Sequence, residues 1–414
     1  RVGTFKSAVE PLIRSNMSDA AKEANKAWLD ALWLEYKTDV AAHRGFEITN
    51  FDEDMETYKE KFAKVNGHSG QFALQYKWVD QLVSKEALRQ KLIAEVGSNE
   101  SGESFKQISF NKYLKTLKPP FPIENPITDK VAVVVAKGNI VDGERKAGEI
   151  GGDSTAKLLR RARLNDKVKA VVLRIDSGGG SMFASEIIRA EVLALKDAGK
   201  PVIASMGSVA ASGGYWIAAN ANEIWAAPST ITGSIGVFGT MMTFEKTLAK
   251  LGVYSDGVAT TDMASFSMLR PLEPKLADVI QMSVESAYDR FLTVVSEARG
   301  MDKAEVDKVA QGRVWIGTKA KELGLVDALG NKQDAIKRAA ELASLSMYDV
   351  ITIEHQLTEQ EMLVQKIFGE SQAAAFVKAY ISKDDYAPVK NSIMQTAHGL
   401  KQQVSSLEQF NDPN

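Results

Sequence analysis

Residues 168–176 read VKAVVLRID, and the interpretation of this run decides the fold. It is dominated by Val, Leu and Ile and lacks the strict polar alternation of a strand with one face in water, so it predicts a strand buried on both faces. Two further runs, VAVVVAKG (131–138) and PVIASMG (201–207), have the same character. Between the three lie STAKLLRRAR (154–163) and SMFASEIIRAEVLALKDAG (181–199), whose apolar residues recur at helical spacing; Gly199 and Pro201 close the second. Strands separated by amphipathic helices predict a parallel sheet covered by helices, an α/β fold.

The chain has 414 residues, more than one ordinary core accommodates, which predicts roughly two to three domains. With 44% hydrophobic and 25% charged residues it has the composition of a soluble globule, which excludes a fibrous repeat and wholesale disorder. A formal net charge of −2 supplies no basic field for a phosphate backbone, so nucleic acid is not an expected partner. The absence of cysteine excludes disulfides, thiolate metal sites and cysteine nucleophiles, and leaves the compartment open. No run of about 18 apolar residues is present to span a bilayer. The sequence opens on Arg1 without a signal pattern, as a fragment or processed form would, and any anchor or export signal is expected upstream.

From Met17 to Arg44 apolar residues at helical spacing predict one long helix, with Ser18 as its N-cap. The stretch LKTLKPPFPIENPITD (114–129) holds four prolines in sixteen residues and predicts a domain boundary. The expected organisation is a first unit over 1–118, a linker over 119–129, the α/β unit over 130–345 and an extension over 346–414. An internal echo accompanies it. The helix that ends in Arg44-Gly45 resembles LADVIQMSVESAYDRFLTVVSEARG (276–300), and WVDQLV (78–83) answers LVDALG (325–330). Traced backwards, the echo sets Lys6 opposite Asp262. The sequence thus predicts one complete α/β module preceded by the tail of a second copy.

Two Gly-rich stretches follow predicted strands. IDSGGGS (175–181) turns from strand to helix and leaves backbone N–H groups able to hold an oxyanion. VAASGGYW (209–216) sets Ser212 between small residues and two glycines, exposing its hydroxyl where a helix begins, with the Gly213 N–H as a second donor. A serine nucleophile needs a proton acceptor, and histidine is the common one. The four histidines, His43, His68, His355 and His398, all fall outside residues 69–354, so a Ser/His/Asp triad is not expected. Nucleotide binding is not expected either, since no Gly-Lys-Ser/Thr follows the glycines and Phe183 occupies the last glycine position of G-x-G-x-x-G.

SGGGS (177–181), MGSVAASGGYWIA (206–218) and TGSIGVFG (232–239), together with RVGTFKSAVEP (1–11), resemble the signal peptide peptidase A family, peptidase family S49. The resemblance runs from Arg1 to about Leu345. It implies a ClpP/crotonase-like fold, two tandem copies of it in the long form, and a serine peptidase with a Ser/Lys dyad. Ser212 would be the nucleophile and Lys6, in GTFKSAVEP, the general base; Gly179 and Gly213 would hold the oxyanion, and Ser234 would orient the lysine. No cofactor or metal is called for. The implied partners are signal-peptide remnants and short apolar peptides, in a homo-oligomer, a tetramer, at the bacterial inner membrane facing the periplasm. One departure is visible: the family's Ser-Pro-Gly-Gly is Ser177-Gly178-Gly179-Gly180 here, which loosens the loop and keeps its N–H groups. Two other readings stand beside this one, a non-catalytic scaffold that retains the fold and a crotonase-type acyl-CoA hydratase or isomerase.

Overall fold

The computed structural model describes residues 1–51, 54–117, 128–146, 148–258, 260–261 and 266–354. Most of the proline-rich stretch, Asp262 and the chain from His355 onward lie outside the described residues. Arg1–Glu354 form one compact unit.

The sheet is built from β1 (Lys130–Lys137), β4 (Val168–Ser177), β5 (Val202–Ala211), β6 (Glu223–Ala226), β7 (Ile231–Gly233), β8 (Val314–Ile316), β9 (Ala328–Leu329) and β10 (Asp349–Thr352); β2 (Ile140–Val141) and β3 (Ile150–Gly151) pair separately. Its order is β10-β1-β4-β5-β6-β9, with β7 branching from β5 and β8 pairing antiparallel to β7. The other pairings are parallel. The three apolar runs therefore occupy adjacent strands β1, β4 and β5.

Both faces of these strands are covered, which is why the runs do not alternate. Ala132, Val134, Val171, Leu173 and Ala204 pack on one side among Leu159, Ile188 and Val192 of the helices Gly152–Leu164 and Met182–Asp197. Val131, Val133, Ala170, Val172 and Ile203 pack on the other against Ala335, Ile336, Ala339 and Ala340 of the helix Lys332–Leu342. The sheet also passes the expected boundary at 345, because β10 adds parallel to β1 and satisfies its edge.

Strand β5 is longer than the 201–207 read from sequence. Its first half pairs with β6 and its second half, Val209–Ala211, pairs with β7, a partner that no local pattern reveals. The following helix, Gly213–Ala218, starts directly after Ser212.

The long helix spans Asp19–Arg44, and Ser18 caps it by accepting from the Ala21 N–H. Its echo spans Pro274–Arg299, also 26 residues, and both end in a left-handed glycine, Gly45 (φ 64°) and Gly300 (φ 63°). The two closing arginines make matching contacts. Arg44 grips Asp80 at 2.9 and 3.2 Å and donates from Nε to the Lys77 carbonyl at 2.9 Å. Arg299 grips Asp327 at 2.6 and 2.9 Å and donates from Nε to the Gly324 carbonyl at 2.8 Å. Asp80 and Asp327 are the aspartates of the two echoed motifs.

Candidate active site

Register brings two serines together. Ala211 at the end of β5 pairs with Gly233 at the end of β7, so Ser212 and Ser234 leave the sheet side by side. The Ser212 N–H donates to the Gly233 carbonyl at 2.9 Å and the Ser234 N–H to the Arg313 carbonyl at 2.7 Å. Both adopt the left-handed region that L-residues avoid, Ser212 at φ 55° and Ser234 at φ 51°. A non-glycine residue there costs of order 1–3 kcal/mol, and surrounding structure must enforce it.

The enforcement at Ser212 comes from the helix it opens. Its carbonyl accepts from Tyr215 and Trp216 N–H. Tyr215, fully buried, donates its hydroxyl to the Leu325 carbonyl at 2.8 Å, and Trp216 donates Nε1 to Glu186 at 2.7 Å while its ring meets Phe291. Glycine is required at both following positions: a Cβ on Gly213 would fall 2.7 Å from Ser185 Oγ, and one on Gly214 2.7 Å from the Ser177 carbonyl.

Lys6 arrives from the other end of the chain. Val2 N–H donates to the Val237 carbonyl at 2.9 Å and Phe5 N–H to the Gln311 carbonyl at 2.8 Å, which lays residues 1–6 on the module. The bed is made of glycine. A Cβ on Gly312 would meet Lys6 Cβ at 2.6 Å, and one on Gly236 would lie 3.3 Å from Lys6 Cδ. Arg313 adds a cationic stack, its guanidinium 4.8 Å from the Phe5 ring and 4.7 Å from that of Trp315, and it pairs with Glu23 at 3.0 Å.

The Lys6 amine stands 3.1 Å from Ser212 Oγ, 3.0 Å from Ser234 Oγ and 2.9 Å from the Ser234 carbonyl. The lysine is only 5% exposed, and burial lowers its pKa from the ordinary value to about 8. About one molecule in ten then carries a neutral amine at pH 7, against about 0.04% for a lysine in water. A neutral amine has two N–H groups and one lone pair. The Ser234 carbonyl can only accept, so it takes one N–H, and the two hydroxyls share what remains.

The structure brings Lys6, Ser212, Ser234 and Gly213 into one place and sets Gly179 beside them, with a different bonding from that expected. The Gly179 N–H does not point outward: it donates to the buried Ser177 hydroxyl at 3.1 Å. The next peptide supplies the outward donor. Ile140 N–H takes the Gly179 carbonyl and Ser181 N–H returns to the Ile140 carbonyl, so planarity of the 179–180 peptide turns the Gly180 N–H away from Ile140. Among the described residues, neither Gly180 N–H nor Gly213 N–H has an acceptor. A Cβ on Gly213 would lie 3.2 Å from Gly180 N, and one on Gly179 2.7 Å from Gly213 N, so the two strips touch. Sequence reasoning missed Gly180, Gly236, Gln311 and Gly312. The signal for Gly180 was present in SGGGS, but a choice among three glycines needs the peptide orientation.

The chain matches the profile of peptidase family S49 over residues 1–99 and 194–346, which include Lys6, Ser212, Gly213 and Ser234. The chain belongs to peptidase family S49. It is 42% identical over 413 residues to Protease 4 of Salmonella typhi, an alignment that covers all of this chain and 65% of that protein. It is 38% identical over 416 residues to Protease 4 of Haemophilus influenzae, covering 66% of it, and 30% identical over 362 residues to the chloroplastic serine protease SPPA of Arabidopsis thaliana, covering 51% of it. The chain thus spans about two-thirds of the length of the two bacterial relatives. Among solved structures it is similar to a ClpP1 N165D mutant from Listeria monocytogenes, with a TM-score of 0.34 and 15% identity over 49% of this chain and 94% of that one. No helix among the described residues of this S49 chain is long and apolar enough to cross a membrane.

Proposed function

We propose that the chain is a serine peptidase working through a Ser/Lys dyad. Ser212 Oγ attacks the scissile carbonyl carbon as the neutral Lys6 amine accepts its proton; the resulting ammonium then protonates the leaving amine. Water repeats the sequence on the acyl-enzyme. Ser234 takes one lysine N–H and thereby aims the lone pair at Ser212. The Gly213 N–H, with Gly180 in the place first assigned to Gly179, receives the oxyanion, each donor lowering the barrier by about 2.7–4 kcal/mol. The observation that carries this reading is the buried amine 3.1 Å from the serine hydroxyl.

Exposed apolar side chains follow the site segments in sequence: Met182 and Phe183 come after the glycine loop, and Phe238, Met241 and Met242 after Ser234, with the Phe238 ring 6.0 Å from the Lys6 amine. They support short apolar peptides, including cleaved signal peptides, as substrates. The matching Arg44–Asp80 and Arg299–Asp327 clamps support a tandem architecture in which residues 1–118 are the tail of a first copy. Assembly into a homo-oligomer, a tetramer, and action at the periplasmic face of a bacterial inner membrane rest on family resemblance.

Hydrolysis of an apolar peptide by the chain beside Lys6→Ala and Ser212→Ala tests the reading. Loss of activity in both variants, with folding intact, is expected. Hydrolysis that survives either substitution rejects the dyad.

A further inference from the structure

Glu10 is a carboxylate only 4% exposed, and the chemistry proposed above makes no use of it. Burying a carboxylate is costly unless its charge and lone pairs are answered. Here the answers come from distant parts of the loop that carries Lys6. Oε2 accepts from the Ser18 N–H at 3.0 Å, and Oε1 accepts from the Ser18 hydroxyl at 2.7 Å and from Arg1 Nη1 at 3.3 Å. The same Arg1 nitrogen donates to the Lys6 carbonyl at 3.0 Å. Ser18 Oγ in turn accepts from Ala21 N–H at 3.1 Å, capping the helix Asp19–Arg44. The Ser18 donors, and after them Arg1, hold the Glu10 carboxyl down to about 2, so it is ionised wherever the enzyme would work.

The anchors of residues 1–5 on the module, Val2 on Val237 and Phe5 on Gln311, both precede Lys6. Between Lys6 and Ser18 the buried polar ties converge on Glu10, and past Ser18 the Arg313–Glu23 pair holds the long helix. We infer that Glu10 is the positioning residue of the dyad: its carboxylate closes residues 1–18 into a loop of one shape and so sets where the Lys6 amine stands relative to Ser212. The inference rests on the Ser/Lys reading and deepens it. Glu10 acts through the loop, because the amine's own neighbours are Ser212, Ser234 and the Phe238 ring, 6.0 Å away. The charged groups that the loop and its bed present are Arg1, Lys6, Glu10, Arg14, which donates to Asn16, and Arg313, which pairs with Glu23.

Glu10→Gln keeps the size of the side chain and sets an amide N–H2 against a donor. With an apolar peptide substrate its kcat is expected to fall by about tenfold or more while KM changes by less than about twofold. In parallel the Lys6 titration, followed by NMR of ε-13C-labelled lysine, is expected to move from about 8 toward the ordinary lysine value as the amine gains water. Ser18→Ala should move both readouts the same way and less far, and Ser18→Thr, which keeps the hydroxyl, should restore them. A purely structural role would lower thermal stability and leave kcat per folded molecule and the Lys6 titration unchanged. That result in Glu10→Gln, or in Ser18→Ala should Glu10→Gln fail to fold, overturns the inference. If the unsubstituted chain hydrolyses nothing, the peptidase reading falls alone, and the Lys6 titration in the same variants still decides the role of Glu10.

Discussion

A lysine can serve as a base near neutral pH only if the fold makes its charge expensive, and Lys6 shows how that is done. Five per cent exposure strips the ammonium of water, and this desolvation outweighs the hydroxyl, carbonyl and ring contacts that favour the charged form. The same cost appears in stability. Between about pH 8 and the unfolded value of 10.5 the unfolded chain holds a proton that the folded chain has lost, so stability rises with pH across that window. The rise is about 3 kcal/mol for the whole interval. Lys6→Met removes the titrating group, so the unfolding free energy of wild type minus that of Lys6→Met, followed by denaturant titration from pH 7 to 10.5, should increase by about that amount. A constant difference would mean that the amine is solvated. Ser234→Ala leaves the amine beside Ser212 without one of its orienting partners and is expected to lower kcat by about ten- to a hundredfold with little change in KM, measured on the same peptide.

At the scale of elements, the glycines of the two turns are not equivalent, and their differences are testable. Gly179 has φ 104° and no room for a Cβ, whereas Gly178 faces open space. Gly179→Ala should therefore abolish hydrolysis and lower the melting temperature, while Gly178→Ala, assayed alongside, should stay within about twofold of wild type in kcat/KM. The helix Lys332–Leu342 closes the second face of the sheet through Ile336, 8% exposed, and Ile336→Ala should cost about 2–5 kcal/mol in denaturant unfolding. The strands and their covering helices were legible because VAVVVAKG and VKAVVLRID carry their burial in composition. The far half of β5 and the weak strand β10 were not, since each exists only by pairing with a distant segment. Ser18 was legible as a cap because capping is local chemistry; the outward turn of the Gly180 N–H depends on Ile140, forty residues earlier, and left no local trace.

For the whole molecule, the decisive contact joins residues 206 positions apart in sequence. Motif resemblance paired Lys6 with Ser212, but the glycine bed of Gly236 and Gly312 and the Arg313 stack that hold the lysine there are properties of packing. Arg313→Ala should weaken that docking, lowering kcat and speeding amide exchange in residues 1–24 while β1, β4 and β5 keep their protection. The most direct measurement is the rate at which a fluorophosphonate labels Ser212 as a function of pH. The dyad predicts a rate that climbs with pH along a single titration near 8 and a Lys6→Ala variant that labels slowly without that titration. Labelling that is independent of pH between 6 and 10, or unchanged when Lys6 is removed, would contradict it.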